Sequence, residues 1–193
     1  MSKFIKTAIA AAMVMGAVSS ASFAEGLNNG TARFYGTIED SPCSIKTDDH
    51  KLEVDLGDIG TGSLNGGLET TPKDFQIHLI DCHFNKGETK ASTTFFGAAY
   101  SGNNENYALF NTLTGREVPN VSMMISNEHG DHTIHRGQAI SQDLVKDSSV
   151  QGQDIMLTSQ TLNFKAWLVG ESTEVAPTPA PFEANTTFQI TYL

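Results

Sequence analysis

The chain has 193 residues, with 12 Lys plus Arg against 22 Asp plus Glu and a formal charge of −10. That length suits one domain or two small ones, and the acidic balance argues against the Lys/Arg-rich face that nucleic-acid binding needs. Two cysteines exclude a disulfide-dense scaffold and a four-thiolate zinc site, and 39% hydrophobic residues is slightly lean for a self-sufficient core.

Residues 1–24 carry Lys3 and Lys6, then an uncharged apolar stretch from Ala8 to Val18, then the small-residue pattern Ser22-Phe23-Ala24. This order predicts a secretory signal peptide cleaved before Glu25. The apolar stretch is too short to span ~30 Å of hydrocarbon, and no later segment approaches that length. Taking 24 residues and two lysines from 193 residues and −10 leaves 169 residues and −12. Thiols oxidise outside the cytoplasm. Cys43 and Cys82 lie 39 residues apart, and if they pair, closing that loop is worth roughly 4 kcal/mol. Two free buried thiols are the alternative; redox catalysis is disfavoured because no C-x-x-C spacing exists.

Downstream, the pattern is one of short strands. Gly30, Ala32, Phe34, Gly36 and Ile38 alternate with Thr31, Arg33, Tyr35 and Thr37. Leu52–Leu56 and Phe75–Leu79 alternate in the same way. Strands are also expected over Thr93–Phe96, Val121–Ile125, Asp154–Leu157, Leu162–Val169 and Phe188–Tyr192. Period two means one buried face and one wet face. Turn chemistry separates these runs at Gly57, Gly60-Thr61-Gly62, Asn65-Gly66-Gly67, Gly102-Asn103-Asn104 and Gly130-Asp131. Ser141–Lys146 has room for a short helix. Ala176–Pro181 reads as a stiff extended loop before the last strand. Seven or more short strands predict an all-β, antiparallel sandwich.

The block Gly30-Thr-Ala-Arg-Phe-Tyr-Gly36, then Ile38, then Ser41-Pro42-Cys43-Ser44-Ile45 resembles the amino-terminal region of chaperone–usher pilus subunits. Val54-Asp-Leu-Gly57, Phe75-Gln-Ile-His-Leu-Ile-Asp-Cys82 and the closing Phe188-Gln-Ile-Thr-Tyr192-Leu193 extend the likeness, which is nearest to major rod subunits of the type 1 and P pilus kind. The resemblance implies an incomplete immunoglobulin-like sandwich, residues 39–193, with a disulfide between Cys43 and Cys82. It also implies that residues 25–38 form an extension donated to a neighbouring subunit, a case of β-strand addition. Gly30, Ala32, Phe34, Gly36 and Ile38 would then enter the neighbour's groove, with Leu27 packing upstream. Periodicity alone reads the same segment equally well as the first strand of its own sandwich. Phe188, Ile190 and Tyr192 would line the groove edge that a periplasmic chaperone engages, with Leu193 offering its carboxylate. One departure is Ala180, which stands amid three prolines where many members of the family carry glycine.

His129, His132 and His135, with Asp131 between them, are the candidate metal ligands. Three-residue spacing puts neighbouring histidines on opposite faces of a strand, and Gly130-Asp131 equally marks an exposed turn. No nucleophile or phosphate-loop motif is present, so neither enzyme activity nor a cofactor is expected. Trp167 reads as core, and the sequons at Asn29, Asn120 and Asn185 carry little weight. The resemblance implies a fimbrial structural subunit, exported to the periplasm and polymerised at the bacterial surface to support adhesion. Its partners would be neighbouring pilins, a periplasmic chaperone, an outer-membrane usher and a possible host receptor. A minor adaptor, terminator or adhesive pilin is the alternative, with a periplasmic metal-binding protein behind it.

Overall fold

The computed structural model describes residues 30–85, 87–149 and 155–193. The expected signal segment, Leu27 and Asp154 lie outside these residues. The chain divides into two units with their boundary between Ile38 and Glu39. In the first unit, residues 30–38 form no strand and every one is exposed.

The second unit is all-β. Its strands, in chain order, are β1 (Ser44–Ile45), β2 (Lys73–Ile80), β3 (Lys90–Gly97), β4 (Ala99–Tyr100), β5 (Asn103–Asn111) and β6 (Glu117–Asn127). Then come β7 (Thr133–Ile134), β8 (Ala139–Asp143), β9 (Gln160–Gly170), β10 (Phe182–Glu183) and β11 (Thr186–Tyr192). The larger sheet runs β1-β2-β9-β6-β5-β10, with β4 on β5 and β7 on β6. The smaller sheet runs β11-β3-β8. Every strand pairing among the described residues is antiparallel.

The core lies between the two sheets. Phe95 of β3 meets Phe164 of β9 edge-on at 5.1 Å, Phe75 of β2 at 6.1 Å and Phe188 of β11 at 6.2 Å. Ile77, Leu79, Leu109, Ile125, Leu162 and Leu168 are buried with them. A disulfide joins Cys43 to Cys82 and ties the segment before β1 to the end of β2. Trp167 is buried, and its indole N–H donates to Glu69 at 2.9 Å.

Several expected elements change form. Ser141–Lys146 supplies the end of β8 instead of a helix: Ile140 and Gln142 turn inward at period two and β8 pairs with β3. One or two helical turns cannot outweigh a ladder of that length. The turn expected at Gly102-Asn103-Asn104 is confined to Ser101 and Gly102, because β5 starts at Asn103. Met156 makes a single bridge to Lys146 in place of the strand expected there. Leu52–Leu56 is the most informative difference. Its burial alternates as predicted, yet it has no ladder partner among the described residues and is not a strand.

Candidate functional site

The unpaired Leu52–Leu56 run forms one wall of a groove of about 1180 Å³. Its start is fixed by the 3-10 turn Thr47–Lys51. There the buried Asp49 carboxylate accepts the His78 backbone N–H at 2.6 Å and sits 2.8 Å from His78 Nδ1. The Lys46 backbone N–H donates to the His78 carbonyl at 2.9 Å, so residues 46–49 are stapled to β2. Burial opposes ionisation of Asp49, but the His78 hydrogen bonds and the nearby Lys46 charge outweigh it, and the carboxyl is held below its usual range. The run ends where Asp55 accepts the Gly57 backbone N–H at 2.8 Å, with Gly57 at φ 78°. Glycine suits that left-handed turn.

Along this wall Leu52, Val54 and Leu56 face inward, while Glu53 and Asp55 are exposed. The opposite wall is Pro179–Phe188, which includes the start of β11. Because β11 ends the order β11-β3-β8, one of its edges carries no neighbour among the described residues. The floor is apolar: Phe75, Phe95, Leu109, Met123, Ile125 and Ala166. The sandwich is thus open to solvent along a seam, where the Leu52–Leu56 run and the outer edge of β11 have no ladder partner among the described residues.

Phe188, Ile190 and Tyr192 share the half-buried face of β11 and pack on the core, with Thr187, Gln189 and Thr191 exposed. The Phe84 and Tyr192 rings lie 6.1 Å apart, and burial pushes the Tyr192 phenol up against the opposing pull of a Ser41 hydrogen bond. Leu193 is 62% exposed, and its main-chain oxygen accepts the Thr89 and Lys90 backbone N–H groups. Ala180 and its flanking prolines lie in the groove wall, so the departure from glycine falls on the seam itself. Phe34 is 92% exposed and Ile38 102%. No described atom lies within 4 Å of a Cβ placed on Gly36.

His129 and His132 sit in the exposed turn after β6, and His135 follows β7 with its Nδ1 3.6 Å from Glu105. No group of three or more His, Cys, Asp or Glu side chains among the described residues is arranged to hold a metal. The Asp49–His78 staple and the convergence of the groove floor are not legible in the sequence. Long-range pairs of this kind leave no local signature, although the clean alternation at Leu52–Leu56 marks the wall.

A two-sheet antiparallel sandwich with one seam uncovered and one disulfide defines an incomplete immunoglobulin-like β-domain. The chain belongs to the fimbrial protein family, whose model matches residues 32–193. It is 56% identical to the fimbrial-like protein YfcV of Escherichia coli K12, over all of both chains. It is 27% identical to the major MR/P fimbria protein of Proteus mirabilis, covering 98% of this chain and 99% of that one. Its fold matches a solved chaperone–usher pilus structure with a TM-score of 0.67 at 19% identity, covering 86% of this chain and 97% of that chain. This is a fimbrial structural subunit, in a family whose fold and role are structural and not enzymatic.

Proposed function

We propose that this subunit polymerises by donor-strand exchange, residues 30–38 of one copy filling the groove of the next. The observation that carries this reading is the pairing of an uncovered apolar floor with an exposed, alternating apolar segment on the same chain. Main-chain hydrogen bonds to the free edge of β11 would give the joint its affinity, and the inward side chains its fit. Phe34 and Ile38 supply most of the apolar burial, about 1.5–3 kcal/mol for each fully buried side chain. A Cβ on Gly36 would meet nothing within 4 Å among the described residues, so a requirement for glycine there would come from the backbone of an acceptor passing close by.

Before assembly, a periplasmic chaperone would cover the same groove by engaging Phe188, Ile190, Tyr192 and Leu193, and an outer-membrane usher would exchange it for the donated strand. The finished fimbrium stands on the bacterial surface and supports adhesion. Groove and extension lie on one chain, which favours a subunit that repeats along the fibre over a terminator that only ends it. The test is deletion of residues 25–35 in a strain that assembles the fimbrium. The shortened subunit should accumulate with its chaperone and fail to enter fibres; ordered fibres made of it would overturn the reading.

A further inference from the structure

The outer face of the joint has a charge pattern that the apolar fit does not explain. Arg33 is the only Lys or Arg between Lys6 and Lys46. It alternates with the apolar set, so when Phe34 faces the floor, Arg33 faces out. The structure shows the same parity: the Arg33 guanidinium lies 5.2 Å from the centre of the Tyr35 ring, two residues on and on the same side. The unpaired groove wall shows the complementary pattern. Leu52, Val54 and Leu56 turn in, and Glu53 and Asp55 turn out, with exposed Asp58 just beyond. None of these three carboxylates makes an ion pair among the described residues. On the other wall, the outward side chains of β11 are the uncharged Thr187, Gln189 and Thr191, and the exposed Glu183 of β10 is the charged group there.

We propose that Arg33 of the donated strand pairs with Glu53 and Asp55 of the acceptor, and that this pairing selects a second copy of this chain as donor. The inference rests on donor-strand exchange as the mode of assembly. Strands in a sheet lie about 4.8 Å apart, and directly opposed side chains of opposite charge attract while like charges repel. A donated strand lying against the Leu52–Leu56 wall with its apolar residues down carries Arg33 along the row occupied by Glu53 and Asp55. Both partners are exposed, so the attraction is modest in water and screened by salt. Its main effect is on the rate of joining and on rejection of wrong strands. A donor with an acid in place of Arg33 would meet two carboxylates on an acceptor that is already strongly negative. Selection therefore works through repulsion as much as attraction.

The experiment uses the full chain in cells that assemble it, followed by urea dissociation of purified fibres at about 20 mM and about 500 mM NaCl, either side of the salt range where surface charges are screened. Four forms are compared: the natural chain, Arg33→Glu, Arg33→Glu with Glu53→Lys and Asp55→Lys, and Phe34→Asp. Fibres of Arg33→Glu should dissociate about three- to tenfold faster than natural fibres at low salt and within about twofold of them at high salt. The triple variant, whose joints carry the swapped charges, should return close to the natural rate. Arg33→Glu fibres that match natural fibres at low salt would overturn the pairing. So would a triple variant that melts like the natural subunit but is not restored. Phe34→Asp reports on the underlying reading alone: it should abolish fibres, and fibres formed by it would remove donor-strand exchange itself.

Discussion

Replacing Phe34 by alanine separates the two readings of residues 30–38 in energetic terms. Its side chain is 92% exposed in the free chain, and surface substitutions of this kind change folding stability by no more than about 0.5 kcal/mol. Under donor-strand exchange the same ring would be buried in a neighbour's groove, over a floor that includes Phe75, Phe95 and Ile125. Full burial of such a side chain contributes about 1.5–3 kcal/mol, which corresponds to about a ten- to hundredfold change in the equilibrium of each joint. The assay has two arms: guanidinium dissociation of purified fibres, and thermal melting of the unassembled chain followed by circular dichroism. Phe34→Ala should weaken the fibre and leave the unassembled chain unchanged. If it lowers the melting temperature of the unassembled chain as much as it weakens the fibre, Phe34 belongs to its own sandwich. If neither arm moves, the segment is not donated at all.

Three further outcomes follow from the fold. Asp49→Ala removes the acceptor of the His78 N–H and should lower stability at pH 7 by about 1.5–3 kcal/mol, the range for hydrogen bonds to a charged group. Because the folded carboxyl is held below its ordinary value, that stability is present above the unfolded pKa of about 4 and lost as pH falls through the folded one. Urea melts from pH 7 down to pH 2 should therefore show variant and natural chain converging in acid; a constant gap would count against an ionised Asp49. Replacing Cys43 and Cys82 together by serine should remove roughly 4 kcal/mol, lowering the melting temperature by about 8–16 °C in a chain of this size. Calorimetry that showed no shift would mean the cross-link does not constrain the unfolded state. Gly170→Ala should destabilise by about 1–3 kcal/mol, since a Cβ there would overlap the backbone carbonyl of the buried Leu64. A neutral result in denaturant melts would show that the Leu64 turn yields freely.

Five expected strands were legible: Phe75–Leu79, Thr93–Phe96, Val121–Ile125, Leu162–Val169 and Phe188–Tyr192 all fall within β2, β3, β6, β9 and β11. Alternation reports which side chains are buried, and at Phe75–Leu79 and Phe188–Tyr192 it coincides with backbone pairing. At Leu52–Leu56 the two come apart. The side chains alternate because one face meets the groove, but the backbone finds no partner among the described residues. Sequence carries the first property and not the second, so the run that borders the open seam reads like any other strand. β5 was hidden for a different reason. Its first residues, Asn103 and Asn104, have turn preferences that pairing across the sheet overrides. Ser141–Lys146 shows the same override by the β3 ladder. The Asp49–His78 staple links residues 29 positions apart, and only the folded backbone brings them together.

Whether each groove is filled by another molecule's amino-terminal segment can be seen in a density map of the assembled fimbrium at side-chain resolution. Residues 30–38 of one subunit should appear as a strand paired to the free edge of β11 in the next, with Phe34 and Ile38 over the Phe95 floor. A groove occupied by the subunit's own segment, or left without a strand in the fibre, would contradict donor-strand exchange.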